Sequence, residues 1–228
     1  MVRTIAAEPY AFPLNGEIDP TNAALLVIDM QIDFCGPGGY IERLGIDLTA
    51  VRAPIEPIGR VMAAMRAGGY TVVHTRETFQ LDLSDAQPHR LFRGADGSGI
   101  IPGDEGPLGR CLIQGEPCWD IIAELAPAEG EAIFDKNGYG AFGTTAIDAY
   151  LRERGITNLV LTGVTSDCCI QSNLREALDR GYDCLTLEDC CGAPSRESHD
   201  HSMAIIRGPA GVFGTLSTSD ALLDALNK

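Results

Sequence analysis

The chain has 228 residues, of which 45% are hydrophobic and 21% charged, a composition typical of a folded globular protein. Acidic residues outnumber basic ones by 32 to 17, which leaves a formal net charge of −15. This excess argues against nucleic acid and anionic membrane surfaces as partners, because both are bound through clustered lysine and arginine. No apolar run approaches the roughly 18 residues of a membrane span, and the N-terminal residues lack the apolar core of a signal peptide. We therefore expect a cytoplasmic protein.

The eight cysteines are expected to be reduced thiols. Two pairs of them are sequence neighbours, and no Cys-x-x-Cys motif occurs. In a chain without an export signal, such usage is more typical of free thiols than of a disulfide framework.

Apolar runs without polar alternation predict strands that are covered on both faces, as in a parallel sheet. We predict six such strands, over 23–28, 70–73, 132–134, 159–164, 182–187 and 212–216. Apolar residues at spacings of three and four predict the helices between them, over 48–66, 144–154, 170–180, 197–207 and 219–226. Strands alternating with helices indicate one α/β domain over 1–228, a three-layer α/β/α sandwich around a mostly parallel six-stranded sheet.

Two segments lie outside this alternation of strands and helices. Residues 1–20 are interpreted as an N-terminal arm, which either packs on a partner subunit or forms a surface tail. Residues 79–117 are rich in glycine and proline with little periodicity. An irregular stretch of this length inside a compact domain indicates a functional insert or lid.

Polar side chains that follow predicted strands are candidates for chemistry. They are Asp29, His74 with Arg76 and Glu77, Lys136, the segment 165–169 with Cys169, and Asp189. Asp29, Lys136 and Cys169 together would supply an acid, a cation and a thiol. Ligands of open parallel sheets bind beyond the carboxyl ends of the strands, so these side chains are expected near one edge. Each also has a plain structural explanation: a loop cap for the aspartate, a solvated strand end for the lysine, and a small buried side chain for the cysteine.

Cys169 lies between the fourth predicted strand and the helix that follows it. A thiol at a helix N-terminus faces the positive end of the helix dipole, which favours the thiolate, and free backbone N–H groups there can hold an oxyanion. Cys168 cannot face the same site, because neighbouring side chains point in different directions. Cys169 is favoured as the residue facing the strand ends by the predicted buried stripe of Ile170, Leu174 and Ala177.

An acid, a cation and a thiol at one edge can perform acyl transfer: the thiolate attacks, the aspartate shuttles the proton, and the lysine stabilises the charged pair. The segments that carry them resemble the isochorismatase-like cysteine hydrolase superfamily along nearly the whole chain. The strongest is GVTSDCCI at 163–170, which is similar to the family's Gly-x-x-Thr/Ser-Asn/Asp-x-Cys-Val/Ile pattern. Further matching segments are LVIDMQ at 26–31, DF at 33–34, HTRE at 74–77, DK at 135–136 and GAF at 140–142.

The resemblance implies a Rossmann-like hydrolase fold and a catalytic triad. In the family's register the second cysteine is the nucleophile, so the triad is Cys169, Asp29 and Lys136. The resemblance also implies a cis peptide bond between Val164 and Thr165. That bond would turn the Thr165 N–H toward an oxyanion, beside the N–H of Cys169.

Within the superfamily, segments 34–40, 110–122 and 189–193 resemble the ureide amidohydrolases, the branch of biuret, triuret and ureidoacrylate hydrolases. Two positions depart from the biuret-hydrolase pattern: Tyr139 stands where a second lysine is usual, and Pro209 where a glutamine is usual. Biuret itself is therefore a doubtful substrate. The residues expected to contact substrate are Phe34, Glu77, Tyr139 and Thr165, with Arg76 as a further pocket candidate.

The histidines do not form a metal set. Nicotinamidases of this superfamily carry an Asp-x-His motif followed by a second nearby histidine, and no such motif occurs here. His199 and His201 lie two residues apart on a predicted helix, where they point in different directions. His74 is expected to be structural. We predict no metal and no other cofactor.

The function expected from this set is that of a metal-independent cysteine amidohydrolase. It would cleave a C–N bond of a small carbamoyl or ureido compound through a thioester and release ammonia or an amine. We expect a homo-oligomer, either a dimer or a tetramer. The alternatives are an isochorismatase-like hydrolase of a vinyl ether, a nicotinamidase-like hydrolase of a ring amide, and a catalytically silent binding module.

Overall fold

A computed structural model describes residues 4–92 and 99–227. Its main sheet has six strands: β1 Ala23–Ile28, β2 Thr71–Glu77, β5 Ala132–Lys136, β6 Asn158–Val164, β7 Asp183–Gly192 and β8 Thr215–Ser217. These strands are parallel and lie in the order β5-β2-β1-β6-β7-β8. Two further strands, β3 Glu105–Gly106 and β4 Gly109–Arg110, form a separate small hairpin.

Helices cover both faces of this sheet. They are α1 Ile32–Cys35, α2 Tyr40–Arg43, α3 Thr49–Arg52, α4 Ile55–Ala67, α5 Pro88–Phe92, α6 Ile147–Glu153, α7 Gln171–Asp179, α8 Arg196–Ile206 and α9 Ser219–Leu226. Alternate residues of β1 belong to different cores: Leu25 packs with residues of α4 and α9, whereas Leu26 packs with residues of α6, α7 and α8. Successive side chains of a strand point to opposite faces, so a strand covered on both sides is apolar throughout. The predicted three-layer α/β/α architecture is confirmed.

Several strands and helices differ from their predicted bounds. Strands β2 and β7 extend several residues beyond their apolar runs. In β2 the polar residues His74, Thr75 and Glu77 are buried, and β7 continues past Glu188 and the exposed Asp189 into the buried Cys190 and Cys191. The last strand is shorter than predicted and begins at Thr215, after a turn over Pro209–Gly211. The helix predicted over 48–66 is divided into α3 and α4 around Pro54, since proline disrupts the interior of a helix but is accepted at its start.

The N-terminal arm packs on its own chain. Ile5 and Phe12 are fully buried and exchange two backbone hydrogen bonds of 2.7 and 3.0 Å. Glu8 exchanges two more with Leu216 of β8, an edge strand of the main sheet, at 2.8 and 2.9 Å. The description of the arm as a surface tail is therefore wrong for the described residues 4–20. The oligomeric state stays a prediction.

The insert over 79–117 contains more structure than predicted, although residues 93–98 lie outside the described part. It holds α5 and the β3–β4 hairpin, and its Leu112 is buried in the core. The buried carboxylate of Asp33 accepts hydrogen bonds from the N–H groups of Leu112 and Tyr40, at 2.7 and 3.2 Å. These bonds fix the insert to the segment that follows β1.

No helix in the described ranges combines the length and apolarity that crossing a membrane requires.

Glu131, just before β5, joins three parts of the fold. Its carboxylate accepts hydrogen bonds from Arg66 of α4 at 2.7 and 2.8 Å, and contacts Nε2 of the buried His74 of β2 at 2.9 Å. Burial opposes ionisation, but the hydrogen bonds from Arg66, the Ala128 N–H and His74 outweigh it and lower the pKa of Glu131 to about 2. Burial in turn lowers the pKa of His74. His74 is thus structural, as predicted.

This cluster predicts an acid-labile fold. The lowered Glu131 pKa contributes stability that is present above pH 4.5 and lost as the pH falls toward 2, because the unfolded chain takes up the proton first. Urea unfolding of Glu131→Gln should therefore show a smaller fall in unfolding free energy across that range than the unchanged protein. Glu153→Gln, at an exposed position, is the control and should keep the original pH dependence. An identical pH dependence for Glu131→Gln contradicts the prediction.

Candidate active site

Asp29 stands immediately after β1 and is fully buried. Its φ of +53° lies in the left-handed region, which is uncommon outside glycine but tolerated by aspartate. The Asp29 N–H donates to the Thr75 carbonyl at 3.1 Å, and the Thr75 hydroxyl donates to Oδ1 of Asp29 at 2.6 Å. These two bonds from β2 fix the carboxylate at the end of the sheet.

Lys136 ends β5 and reaches the same point past β2. Its ammonium is fully buried, lies 2.7 Å from Oδ2 of Asp29 and donates to the Gly138 carbonyl at 3.0 Å. Burial alone would lower the pKa of Lys136, but the negative charge of Asp29 outweighs it and raises the pKa. The lysine is therefore a permanent cation at neutral pH.

Cys169 lies in a π-helical turn, Ser166–Ile170, between β6 and α7. Such turns are rare and occur frequently at functional sites. The side chain is 4% exposed, and its Sγ is 3.7 Å from Nζ of Lys136. A hydrogen bond with Cys168 and full burial raise the pKa of the Cys169 thiol well above its usual range. At neutral pH the resting cysteine is therefore a neutral thiol that must pass its proton to a nearby base.

The backbone over 163–165 leads from β6 into the turn Ser166–Ile170 and passes close to β1. Gly163 has a φ of +117°, and a Cβ there would collide with the Ile28 carbonyl, so β6 can approach the Asp29 segment only with glycine. The peptide bond between Val164 and Thr165 is cis, as the resemblance implied. Thr165 is itself buried beside Cys169.

Cys169 lies at the base of a cavity of about 250 Å³. The four predicted substrate-binding residues, Phe34, Glu77, Tyr139 and Thr165, all line it. The walls are otherwise mainly apolar, with contributions from Tyr40, Ile41, Leu44, Ile46, Pro102, Leu112 and Pro194. A mostly apolar pocket with a few convergent polar groups is typical of a site for a small organic molecule.

Glu77, at the end of β2, is fixed through its backbone. The buried Gln31 side chain donates to the Glu77 carbonyl at 3.0 Å and accepts from the Glu77 N–H at 2.7 Å. The Glu77 carboxylate is 4% exposed and pairs with the guanidinium of Arg90, a residue of α5 that sequence reasoning missed. No motif marks Arg90, because it belongs to the insert, where periodicity carries no information.

Arg76, the further pocket candidate, does not line the cavity. Arg76 pairs with Asp135 at 2.7 Å and stacks on Trp119, with 3.6 Å between its Cζ and the ring centre. It is therefore not a residue of this pocket. Pro209 belongs to the turn before β8, and its side chain lies outside the described structure.

The metal-ligating atoms of Asp29, Glu77 and Cys169 lie within 4.8 Å of one another. Each of the two carboxylates already pairs with a buried cation, Lys136 or Arg90. No comparable cluster within residues 4–92 and 99–227 contains a histidine. The absence of a metal stays a prediction.

The chain was compared with known families and solved structures. Residues 23–221 match the Isochorismatase domain. An isochorismatase family protein from Desulfovibrio vulgaris is 28% identical, with a TM-score of 0.73 over 91% of this chain and 99% of that one. A cysteine hydrolase from Pseudomonas syringae pv. phaseolicola is 24% identical, with a TM-score of 0.77 over 92% of this chain and 94% of that one. N-carbamoylsarcosine amidase from Thermoplasma acidophilum is 24% identical, with a TM-score of 0.66 over 87% and 97% of the two chains.

The family match covers most of the chain, from the first residue of β1 into α9. It includes the segments that supply the aspartate, the lysine and the cysteine described above. The similar solved structures share the fold over nearly their whole length. This protein belongs to the isochorismatase domain family of hydrolases.

Proposed function

We propose that the protein is a cysteine amidohydrolase that cleaves a C–N bond in a small carbamoyl or ureido compound. One observation carries the proposal: a buried thiol lies 3.7 Å from a buried ammonium, which lies 2.7 Å from a buried carboxylate, at the base of a small cavity. Burying these charges together is costly and unnecessary in a silent binding module. The name of the neighbour N-carbamoylsarcosine amidase supports the carbamoyl class.

The first half-reaction makes a thioester. Asp29, with a carboxylate oxygen within 4.8 Å of Sγ of Cys169, takes the thiol proton as the sulfur attacks the carbonyl carbon. The N–H groups of Thr165 and Cys169 hold the resulting oxyanion. When the tetrahedral intermediate collapses, the C–N bond breaks and Asp29 returns the proton to the leaving nitrogen. Ammonia or an amine departs, and the acyl group stays on the sulfur.

The second half-reaction regenerates the enzyme. Asp29 takes a proton from a water that attacks the thioester carbon, and the C–S bond breaks. The proton then returns to the sulfur, which restores the thiol. Throughout, Lys136 holds Asp29 in place and stabilises negative charge on Asp29 or on Cys169, whichever carries it.

In this mechanism Glu77 orients the substrate. A Glu77 oxygen lies within 4.8 Å of Sγ of Cys169, so it can accept hydrogen bonds from the N–H groups of a bound carbamoyl group. Arg90 pairs with that carboxylate, and both residues line the cavity.

The substrate class is tested by ammonia release from linear ureides and primary amides. We expect turnover of ureides, with biuret disfavoured, because Tyr139 offers one hydroxyl where the related branch has an ammonium, and Pro209 lacks an amide side chain. A site that cannot bond a buried polar group discriminates against it. Values of kcat/KM for biuret and for the best N-substituted urea measure the preference. A margin of more than about tenfold in favour of biuret contradicts this expectation, and no release from any ureide or amide contradicts the proposed function.

Removing metals should leave the activity unchanged. Asp29 and Glu77 are neutralised by Lys136 and Arg90, so neither needs a metal ion to balance its charge. The measurement is the rate of ammonia release before and after dialysis against EDTA, with metal analysis of the purified protein. A stoichiometric zinc or manganese ion whose removal abolishes activity would overturn this prediction.

A further inference from the structure

Arg90 is a buried, positively charged residue of the cavity that does not come from the strand ends where Asp29, Lys136 and Cys169 lie. It belongs to the short helix α5 of the insert and lines the cavity that contains Cys169. The side chain is 3% exposed. Its Cζ lies 4.2 Å from the centre of the Tyr139 ring and 5.4 Å from that of Phe79, distances at which a cation is attracted to an aromatic face. The two rings therefore hold the guanidinium in a defined place.

The guanidinium retains hydrogen-bonding capacity. Its Nη2 pairs with Glu77, whereas Nε and Nη1 are buried and have no hydrogen-bond partner within the described residues. A buried donor without a partner is unfavourable, and more so when it is charged. A bound molecule that places an oxygen against these nitrogens would make a hydrogen bond that no described residue provides.

The charges around Arg90 indicate whether the substrate oxygen that bonds it is charged or neutral. Arg90 is balanced by Glu77, and Lys136 by Asp29, so the buried pairs are neutral as they stand. A further carboxylate, Asp167, lies at the exposed rim of the cavity. An anionic group on the substrate would add an uncompensated negative charge among these carboxylates. An uncharged carbonyl oxygen can accept from arginine without that penalty.

We propose that Arg90 is a specificity-determining residue that binds a second, uncharged carbonyl oxygen of the substrate, beyond the carbamoyl group that is cleaved. The preferred substrates are then acylureas and related compounds with two carbonyl groups on one nitrogen. This inference rests on the proposed function and narrows it. Biuret also carries a second carbonyl oxygen, so the low expectation for biuret applies in comparison with acylureas, which lack its terminal amide.

The test is binding to Cys169→Ala protein, which removes the differences in chemical reactivity between substrates. Isothermal titration calorimetry compares N-acetylurea with N-isopropylurea, which has nearly the same shape but a methyl in place of the second oxygen, and with anionic N-carbamoylglycine. We expect N-acetylurea to bind at least about tenfold more tightly than either. Adding Arg90→Met with Glu77→Gln removes both charges together, so no buried charge is left unpaired. This variant should reduce the preference for N-acetylurea over N-isopropylurea to less than about threefold.

Arg110→Met is the matched control, since Arg110 lies in the same insert but bonds the backbone carbonyls of Leu81 and Gly103. It should keep the full preference. Equal binding of the two uncharged ureas, no measurable binding, or a preference that survives loss of Arg90 would overturn the proposal. If N-carbamoylglycine binds most tightly, the proposal that Arg90 prefers an uncharged oxygen is wrong. Failure of the proposed function is recognised separately, as an unchanged enzyme that releases no ammonia from any ureide or amide.

Discussion

Replacing Cys169 with alanine is expected to lower kcat/KM for ammonia release by about 10⁴-fold or more, because no thioester can form without the sulfur. Cys168→Ala should retain most of the activity, since it leaves the contacts among Cys169, Lys136 and Asp29 intact. The measurement is steady-state kinetics on the best ureide of the panel. Urea unfolding of both variants verifies that neither substitution disrupts the fold.

The reverse result, with Cys168 essential and Cys169 dispensable, would show that the assigned register is wrong by one residue. Alkylation of the unchanged protein cannot replace this comparison. The Cys168 side chain is half-buried, and a hydrogen bond with Cys169 lowers the pKa of its thiol, so iodoacetamide can also modify Cys168. The two alanine variants separate the neighbouring thiols directly.

Replacing Lys136 with methionine should reduce both stability and activity. It leaves the carboxylate of Asp29 buried without its cation, although Thr75 still donates a hydrogen bond to it. Breaking a buried ion pair from one side costs about 3–5 kcal/mol. The activity should fall at least about 10³-fold, because Asp29 is then neither oriented nor stabilised as it exchanges the proton. Urea unfolding in the Cys169→Ala background measures the stability effect apart from catalysis.

The double variant Asp29→Asn with Lys136→Met should be less destabilised than Lys136→Met alone, because it removes both charges together. Arg152→Met is the control for loss of a surface ion pair. Arg152 and Asp148 pair one turn apart on α6, so this substitution should leave the unfolding free energy nearly unchanged. Equal effects of Lys136→Met and Arg152→Met would mean that the buried pair does not stabilise the fold.

The architecture was predictable where buried strands are apolar throughout. β1 is the clearest example, since all six of its residues are buried and its bounds agree with the prediction. The predicted bounds are wrong where polar residues are buried through hydrogen bonds. His74 and Thr75 are fully buried within β2, yet they interrupt the apolar pattern, so the predicted strand ended too early. Hydrophobicity alone cannot reveal a buried histidine whose partner, Glu131, is more than fifty residues away.

The site shows a similar division. The three residues expected at the strand ends are brought together, and this followed from the parallel sheet and from the family pattern. Arg90 escaped detection because its position depends on how the insert folds over the sheet. That path is determined by contacts distant in sequence, such as the bonds from Asp33 to the backbone of Leu112 and Tyr40. No local pattern around Arg90 records them.

The pairing of Glu8 with Leu216 also bears on self-association. β8 is at the edge of the sheet, and an edge strand with free backbone groups can recruit a strand of another molecule. The arm occupies part of this edge with two backbone hydrogen bonds, and the Ser217 hydroxyl donates a further one to the Ala6 carbonyl at 2.6 Å. A chain shortened to begin after Phe12 would uncover that edge. Its solubility, rather than its catalytic chemistry, would suffer first, through intermolecular β-pairing and aggregation.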